Sequence, residues 1–260
     1  MLEKIKELRN KTGISITECQ KALLVNDMNI EKSILYLREK GILQAALKAE
    51  RITTAGLIGL NISTNKKTAI MTEINCETDF VVKSDEIQKL LEKINNYFLN
   101  DEKNSKNINL STNIILPKEL ELARIDLITQ LGENIIVRRL TKLSTKDDFI
   151  FGYTHRVNQN IKIASIFVAN QFLEQYMQLY NDIAMQITAM KPQYVAQEDI
   201  PQNILNQERN INKDISRFLK EQVLLEQPFI KEQKTCIKEL ISNKFTLLTF
   251  VRFEVGEKIS

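Results

Sequence analysis

Thr68-Ala69-Ile70-Met71-Thr72-Glu73-Ile74-Asn75-Cys76-Glu77-Thr78-Asp79-Phe80-Val81-Val82-Lys83-Ser84-Asp85 is the stretch in which the chain changes period. Thr68 to Cys76 is rich in β-formers and reads as a strand. Near Ser84 a helix begins: Asp85 and Glu86 suit the positive end of a helix dipole, and Ile87, Leu90, Leu91 and Ile94 then recur in helical step. Upstream, Gly56 to Ile62 is another β-rich run, and Ser63-Thr64-Asn65-Lys66-Lys67 between the two has the composition of a hairpin connection. Strand, strand, helix in this order specifies a mixed α+β fold, a sheet with helices on one face.

Toward the C-terminus, the polar stretch Asp101 to Asn113 reads as a loop. Pro117 can open a helix as its first residue, running to Gly132, and Ile135 to Leu143 reads as a strand. The order then returns. Phe149 to His155 and Ile161 to Ala169 are strands around Asn158-Gln159-Asn160, and Phe172, Tyr176, Leu179, Ile183 and Ile187 mark a long helix. A helix from about Lys234 to Ser242 and a strand from Phe245 to Glu254 close the chain. The pattern predicts two antiparallel-sheet-plus-helix subdomains, one over 53–146 and one over 147–199 with 228–260. Between the parts of the second, 200–227 reads as a short helical insertion carrying Ile204, Ile211, Ile215 and Phe218.

Ahead of the sheets, residues 1–52 read as a three-helix module. Leu2, Ile5 and Leu8 share one face and Gly13 supplies a stop. Ser15-Ile16-Thr17-Glu18 fits a capping box ahead of Cys19, Ala22 and Leu23. Ile30, Ile34 and Leu37 line a third helix predicted to stop at Gly41, followed by a helical linker, Ile42 to Glu50. Helices this short bury one core together but not separately.

Composition narrows the function classes. With 43% hydrophobic and 27% charged residues the chain is an ordinary water-soluble globular protein. A net charge of +3, from 36 basic and 33 acidic side chains, is too balanced for a nucleic-acid footprint. Three scattered cysteines without a C-x-x-C fit a reducing compartment, the cytoplasm. No apolar run approaches the roughly eighteen residues of a membrane helix, and the N-terminus has no signal-peptide core. No phosphate-binding glycine loop occurs, so the protein is not expected to hold a nucleotide itself. With one histidine, His155, a metal site is not expected and neither is a cofactor.

One enzymatic arrangement stays open: Cys76 as nucleophile with His155 as base, each at the end of a predicted strand, against Cys76 as a small buried apolar residue. Phe80 also has two readings, both resting on its place in the strand-to-helix connection. It packs down as a lid on its own sheet, the commoner fate of a loop aromatic, or it is displayed as an anchor for a partner.

Asn75-Cys76-Glu77-Thr78-Asp79-Phe80-Val81 resembles the signature of the elongation factor Ts family, with its Thr-Asp-Phe-Val core unchanged. Other blocks follow in the family's order: Lys6-Glu7-Leu8-Arg9, Lys11-Thr12-Gly13, Lys21-Ala22-Leu23, Leu37 to Gly41, Gly132-Glu133-Asn134-Ile135 and Arg138-Arg139. Tyr153 with His155, Lys191-Pro192, Gln227-Pro228-Phe229 and Arg252 to Glu257 complete the set.

The resemblance implies a non-enzymatic guanine nucleotide exchange factor that binds elongation factor Tu, both GDP-bound and nucleotide-free. Its N-terminal module would be similar to ubiquitin-associated domains. Asp79 and Phe80, framed by Thr78 and Val81, would form the wedge that displaces the Mg²⁺ holding GDP on the partner. Ile16, Thr17 and His155 would be further partner contacts. The alternatives are a non-exchanging adaptor using the three-helix module and a cysteine hydrolase on Cys76 and His155. The chain departs from many members in a shorter insertion, in Ile16-Thr17 where Met-Met is common, and in the terminal helix expected to be absent after Ser260.

Overall fold

The computed structural model describes residues 1–100, 108–111, 114–211 and 214–259. They fall into two compact units: Met1–Leu57 with Thr72–Tyr97 and Leu110–Leu140, and Ile58–Met71 with Phe98–Asn109 and Thr141–Ser260. The class is α+β, N-terminal helices followed by sheets with helices packed on them.

In the first unit, helices α1 (Leu2–Thr12), α2 (Ile16–Val25) and α3 (Ile30–Lys48) enclose Leu8, Cys19, Ala22, Leu23 and Leu37. The Ser15 hydroxyl accepts the Glu18 N–H at 3.3 Å, one half of the capping box. The Glu18 carboxylate turns instead to Lys21 and Lys40. Helix α3 does not stop at Gly41 but continues to Lys48, absorbing most of the expected linker. The glycine serves close approach rather than termination. A Cβ built there would lie 2.8 Å from the Thr129 hydroxyl of the helix packed against it, too near for ordinary contact.

Next along the chain come strands β1 (Ala55–Ile62) and β2 (Thr68–Cys76), a short helix α4 (Asp79–Val82), helix α5 (Asp85–Asn100) and strand β3 (Ile108–Ser111). Helix α6 (Lys118–Leu131) and strand β4 (Ile135–Ser144) follow, and the sheet order is β1-β2-β4-β3. A five-residue connection allows only an antiparallel β1–β2 pair, and it is closed by Ser63 N–H to Thr68 O and Lys66 N–H to Ser63 O, both 2.8 Å. The stretch expected as a loop contains β3, because a short segment beside β4 satisfies its backbone groups by pairing. Residues 101–107 and 112–113 of that stretch lie outside the described residues. Pro117 caps α6 in extended conformation (φ −52°, ψ 145°) instead of starting it. Fully buried Glu73 on β2 meets Arg138 Nη1 at 3.0 Å and Arg139 Nε at 2.6 Å, the pairing a buried carboxylate requires.

The second unit is built on strands β5 (Phe149–Val157) and β6 (Asn160–Ala169), helices α7 (Met177–Met190), α8 (Gln202–Ile211) and α9 (Ser216–Gln222), and the short pair β7 (Pro228–Phe229) and β8 (Glu232–Cys236). Helix α10 (Ile237–Ile241) and strand β9 (Leu247–Glu254) complete it. The main sheet is antiparallel, β5-β6-β9. Its hairpin turns at Asn158 and Gln159, both left-handed at φ 48° and 72°, the backbone that matches strand twist.

Alternate residues on these strands face opposite ways. Phe151 and Phe167 meet α7, where Tyr180 stacks on Phe151 with ring centroids 3.9 Å apart and 7° between planes. Ile150, Ala164, Ile166, Val168 and Phe253 join Ile58, Ala69 and Met71 on the other face. The expected helix from Lys234 is half strand: Glu232–Cys236 pairs with β7, and α10 begins only at Ile237. The insertion has its own small core of Ile200, Leu205 and Val223 with Ile204, Ile215 and Phe218, residues 212–213 lying outside the description. No helix among the described residues is long and apolar enough to cross a membrane.

Candidate partner-binding site

Strand β2 ends at Cys76, and within four residues the backbone has turned into α4. Thr78, extended at φ −129° and ψ 157°, is the N-cap of that turn. Lys83 N–H closes it on the Asp79 and Phe80 carbonyls at 3.3 and 3.2 Å, and Ser84 N–H on Val81 O at 3.0 Å. Because residues of one helical turn point around the axis, the four side chains divide. Val81 and Val82 are buried, whereas Asp79 is exposed and Phe80 is 85% exposed. The lid reading of Phe80 is overturned. The two valines pin the turn, and the aromatic ring stands in solvent.

Two carboxylates fix this turn from below. Glu133 accepts both the Thr78 backbone N–H (2.9 Å) and the Thr78 hydroxyl. In return, Glu77 accepts the Asn134 N–H at 2.6 Å. Asn134, itself buried, donates its side-chain amide to the Arg51 and Ala49 carbonyls at 3.1 and 3.3 Å. The segment at 133–134 reaches this position because Gly132 ends α6 in the left-handed region (φ 78°), its N–H on Ile128 O at 2.9 Å. Hydrogen bonds to a carboxylate are about twice as strong as neutral ones. The junction is thus held by charge-assisted bonds on both of its strands.

Sequence reasoning missed Glu77, Glu133 and Asn134 as a group, although Gly132-Glu133-Asn134 stands in the sequence as a motif. Only the adjacency of β2 and β4 brings the two stretches together.

Ile16 and Thr17 stand at the start of α2, both exposed, Ile16 by 53%. Ser15 caps the helix beneath them and Ile14 turns into the core. His155 is exposed on β5 opposite Ile163, beside a bulge between His155 and Arg156 that redirects the strand. The Thr78–Val81 turn and the Ile16 region belong to the first unit and His155 to the second. Cys76 is fully buried and donates its thiol to Thr78 O at 3.3 Å. A buried thiol held by its own turn is not a presented nucleophile, which removes the geometric basis of the hydrolase reading. Among the described residues no cluster of three or more His, Cys, Asp or Glu could hold a metal ion.

A family model described as Elongation factor TS matches residues 77–217 and 212–257. The chain is 36% identical to Elongation factor Ts of Aquifex aeolicus (strain VF5), over 98% of this chain and 97% of that one. It is 32% identical to Elongation factor Ts of Halothermothrix orenii (strain H 168 / OCM 544 / DSM 9562), over 99% and 93%, and 34% identical to that of Blochmanniella pennsylvanica (strain BPEN), over 97% and 95%. With the displayed Thr78-Asp79-Phe80-Val81 turn inside the matched region, the chain belongs to the elongation factor Ts family.

Proposed function

We propose that this protein is a guanine nucleotide exchange factor for elongation factor Tu, acting in the cytoplasm and performing no chemical step of its own. The observation that carries the reading is Phe80, a large apolar ring 85% exposed on a turn whose next two residues are buried. Displayed aromatics on a fixed scaffold are the usual anchors of an interface. Asp79 beside it adds a negative charge at the same tip. Thr78 and Val81 frame the pair, one capping the turn and the other rooting it in the core. Ile16, Thr17 and His155, all exposed, would supply further contacts with the partner.

The mechanism follows from the ion on the partner. Mg²⁺ is held largely by phosphate oxygens and a few protein ligands in strict octahedral geometry, so a small displacement weakens the whole site. A wedge that displaces it lowers GDP affinity, and by linkage GDP lowers the affinity for the wedge equally. The factor speeds an equilibrium in both directions, and the nucleotide pool decides the outcome.

The test is release of a fluorescent GDP analogue from elongation factor Tu with Mg²⁺ present, with wild type or Phe80→Ala. An anchor contributing about 2–4 kcal/mol predicts a loss of roughly 30- to 1000-fold in the variant. Equal acceleration by both would remove Phe80 from the mechanism. No acceleration by wild type would favour an adaptor that binds through the three-helix module.

A further inference from the structure

We propose that Glu133 is a positioning residue for exchange: its carboxylate holds the wedge turn in its partner-ready conformation before elongation factor Tu arrives. This rests on the exchange reading above.

Both Glu133 oxygens are committed to one residue, Oε2 to the Thr78 N–H at 2.9 Å and Oε1 to the Thr78 hydroxyl. Thr78 immediately precedes Asp79-Phe80 and its extended backbone sets the direction in which the turn leaves the strand. Fifty-five residues separate the two in sequence, so the contact is tertiary and not an accident of local turn geometry. The crossed bond from Asn134 N–H to Glu77 at 2.6 Å makes the clamp reciprocal. Phe80 gains nothing from this in the free protein, since its ring is 85% exposed. What the clamp fixes is therefore the aim of the ring rather than its burial. A turn that samples other directions presents the wedge only part of the time, and apparent affinity for a partner falls by that fraction. Once bound, the wedge makes the same contacts.

That distinction sets the experiment. Release of a fluorescent GDP analogue is followed across factor concentrations, separating the half-saturating concentration from the maximum rate, for full-length wild type, Glu133→Ala, Glu133→Gln and Phe80→Ala. Glu133→Ala is expected to raise the half-saturating concentration about tenfold, equivalent to a competent fraction of about one in ten, and to keep the maximum rate within about twofold. Glu133→Gln retains an acceptor for the Thr78 N–H and is expected to restore wild-type behaviour. Phe80→Ala is expected to lower the maximum rate. In the free protein, amide hydrogen exchange at Thr78 should accelerate in Glu133→Ala and not in Glu133→Gln.

A Glu133→Ala half-saturating concentration within twofold of wild type, with Phe80→Ala impaired, overturns the positioning role and leaves the exchange reading intact. Equal losses in the Ala and Gln variants overturn it as well, since charge or folding would then be at issue rather than aim. A fully active Phe80→Ala variant overturns the exchange reading through Phe80, and the positioning role with it, while Thr78 amide exchange still reports whether the clamp holds the free turn.

Discussion

Replacing Gly41 by alanine sets two effects of known sign against each other. In an isolated helix the change stabilises by about 1 kcal/mol, because glycine has the greater freedom to lose. Here the new Cβ would lie 2.8 Å from Thr129 Oγ1 and 3.6 Å from Ile125 Cγ2. Thr129 is β-branched and stiff, and its hydroxyl is occupied by Ile125 O at 2.9 Å. Relief requires rotating that side chain and losing the bond, or moving α3 from α6, and overpacking of this kind costs about 1–3 kcal/mol. The cost outweighs the gain, and a net loss of about 1 kcal/mol is expected, a fall of roughly 2–4 °C in thermal midpoint. The double variant Gly41→Ala/Thr129→Ala removes the obstacle. Alanine at 41 should then stabilise relative to Thr129→Ala alone, a coupling of about 2 kcal/mol between the sites. Urea denaturation followed by far-UV circular dichroism reads all four forms. A Gly41→Ala chain more stable than wild type, or an unchanged penalty in the Thr129→Ala background, would refute close packing as the reason for the glycine.

Two further outcomes are expected. Tyr180 is fully buried, donates its hydroxyl to Gln171 O at 3.0 Å and accepts the Leu173 N–H at 3.3 Å. Tyr180→Phe should cost about 0.5–1.5 kcal/mol, the net worth of an ordinary hydrogen bond, since the Leu173 partner is exposed and can turn to water. An unchanged denaturation midpoint would show those groups to be satisfied elsewhere. The Glu18 carboxyl is held below its ordinary value of 4.5, first by the hydrogen bond from Lys40 and then by that from Lys21. A lowered folded-state pKa means stability present above about pH 4.5 and lost as pH falls through the folded value. Glu18→Gln should flatten that part of the acid limb, and identical limbs for both proteins would exclude Glu18 as a contributor.

The elements with strong period were legible in the sequence: the β1–β2 and β5–β6 hairpins, α5 and α7 all stand close to where apolar spacing puts them. The misreadings share a cause, which is that a packing or pairing partner outside the segment decided them. Gly41 looks like a helix stop until a second helix is seen to need the space. Ile108–Ser111 is four residues within a polar stretch and Glu232–Cys236 is itself polar, so neither announces itself as a strand, and each is one because a neighbour offers its ladder. At the candidate site, the Thr-Asp-Phe-Val segment was legible as a motif, but the residues alone favoured the lid over the anchor for Phe80, the commoner fate of a loop aromatic. Burial of Val81 and Val82 decided between them. The Glu133 clamp was not legible at all, since no spacing rule joins 78 to 133.

Displaying Phe80 also bears on how the protein behaves in a crowded solution. A lone ring held outward is a standing invitation to self-association, and natural sequences answer such hazards with flanking charge. Here Glu77, Asp79, Lys83, Asp85 and Glu86 flank it within ten residues of chain, both signs represented and all but Glu77 exposed. The residues next to it in the chain add no exposed apolar side chain, Asp79 being charged and Val81 and Val82 buried, so two copies of the protein meeting tip to tip would set like charges beside the rings. On the reading of Phe80 as an anchor, the charges beside it set the same turn against adhering to its own kind while leaving the ring open to a partner with a ready pocket.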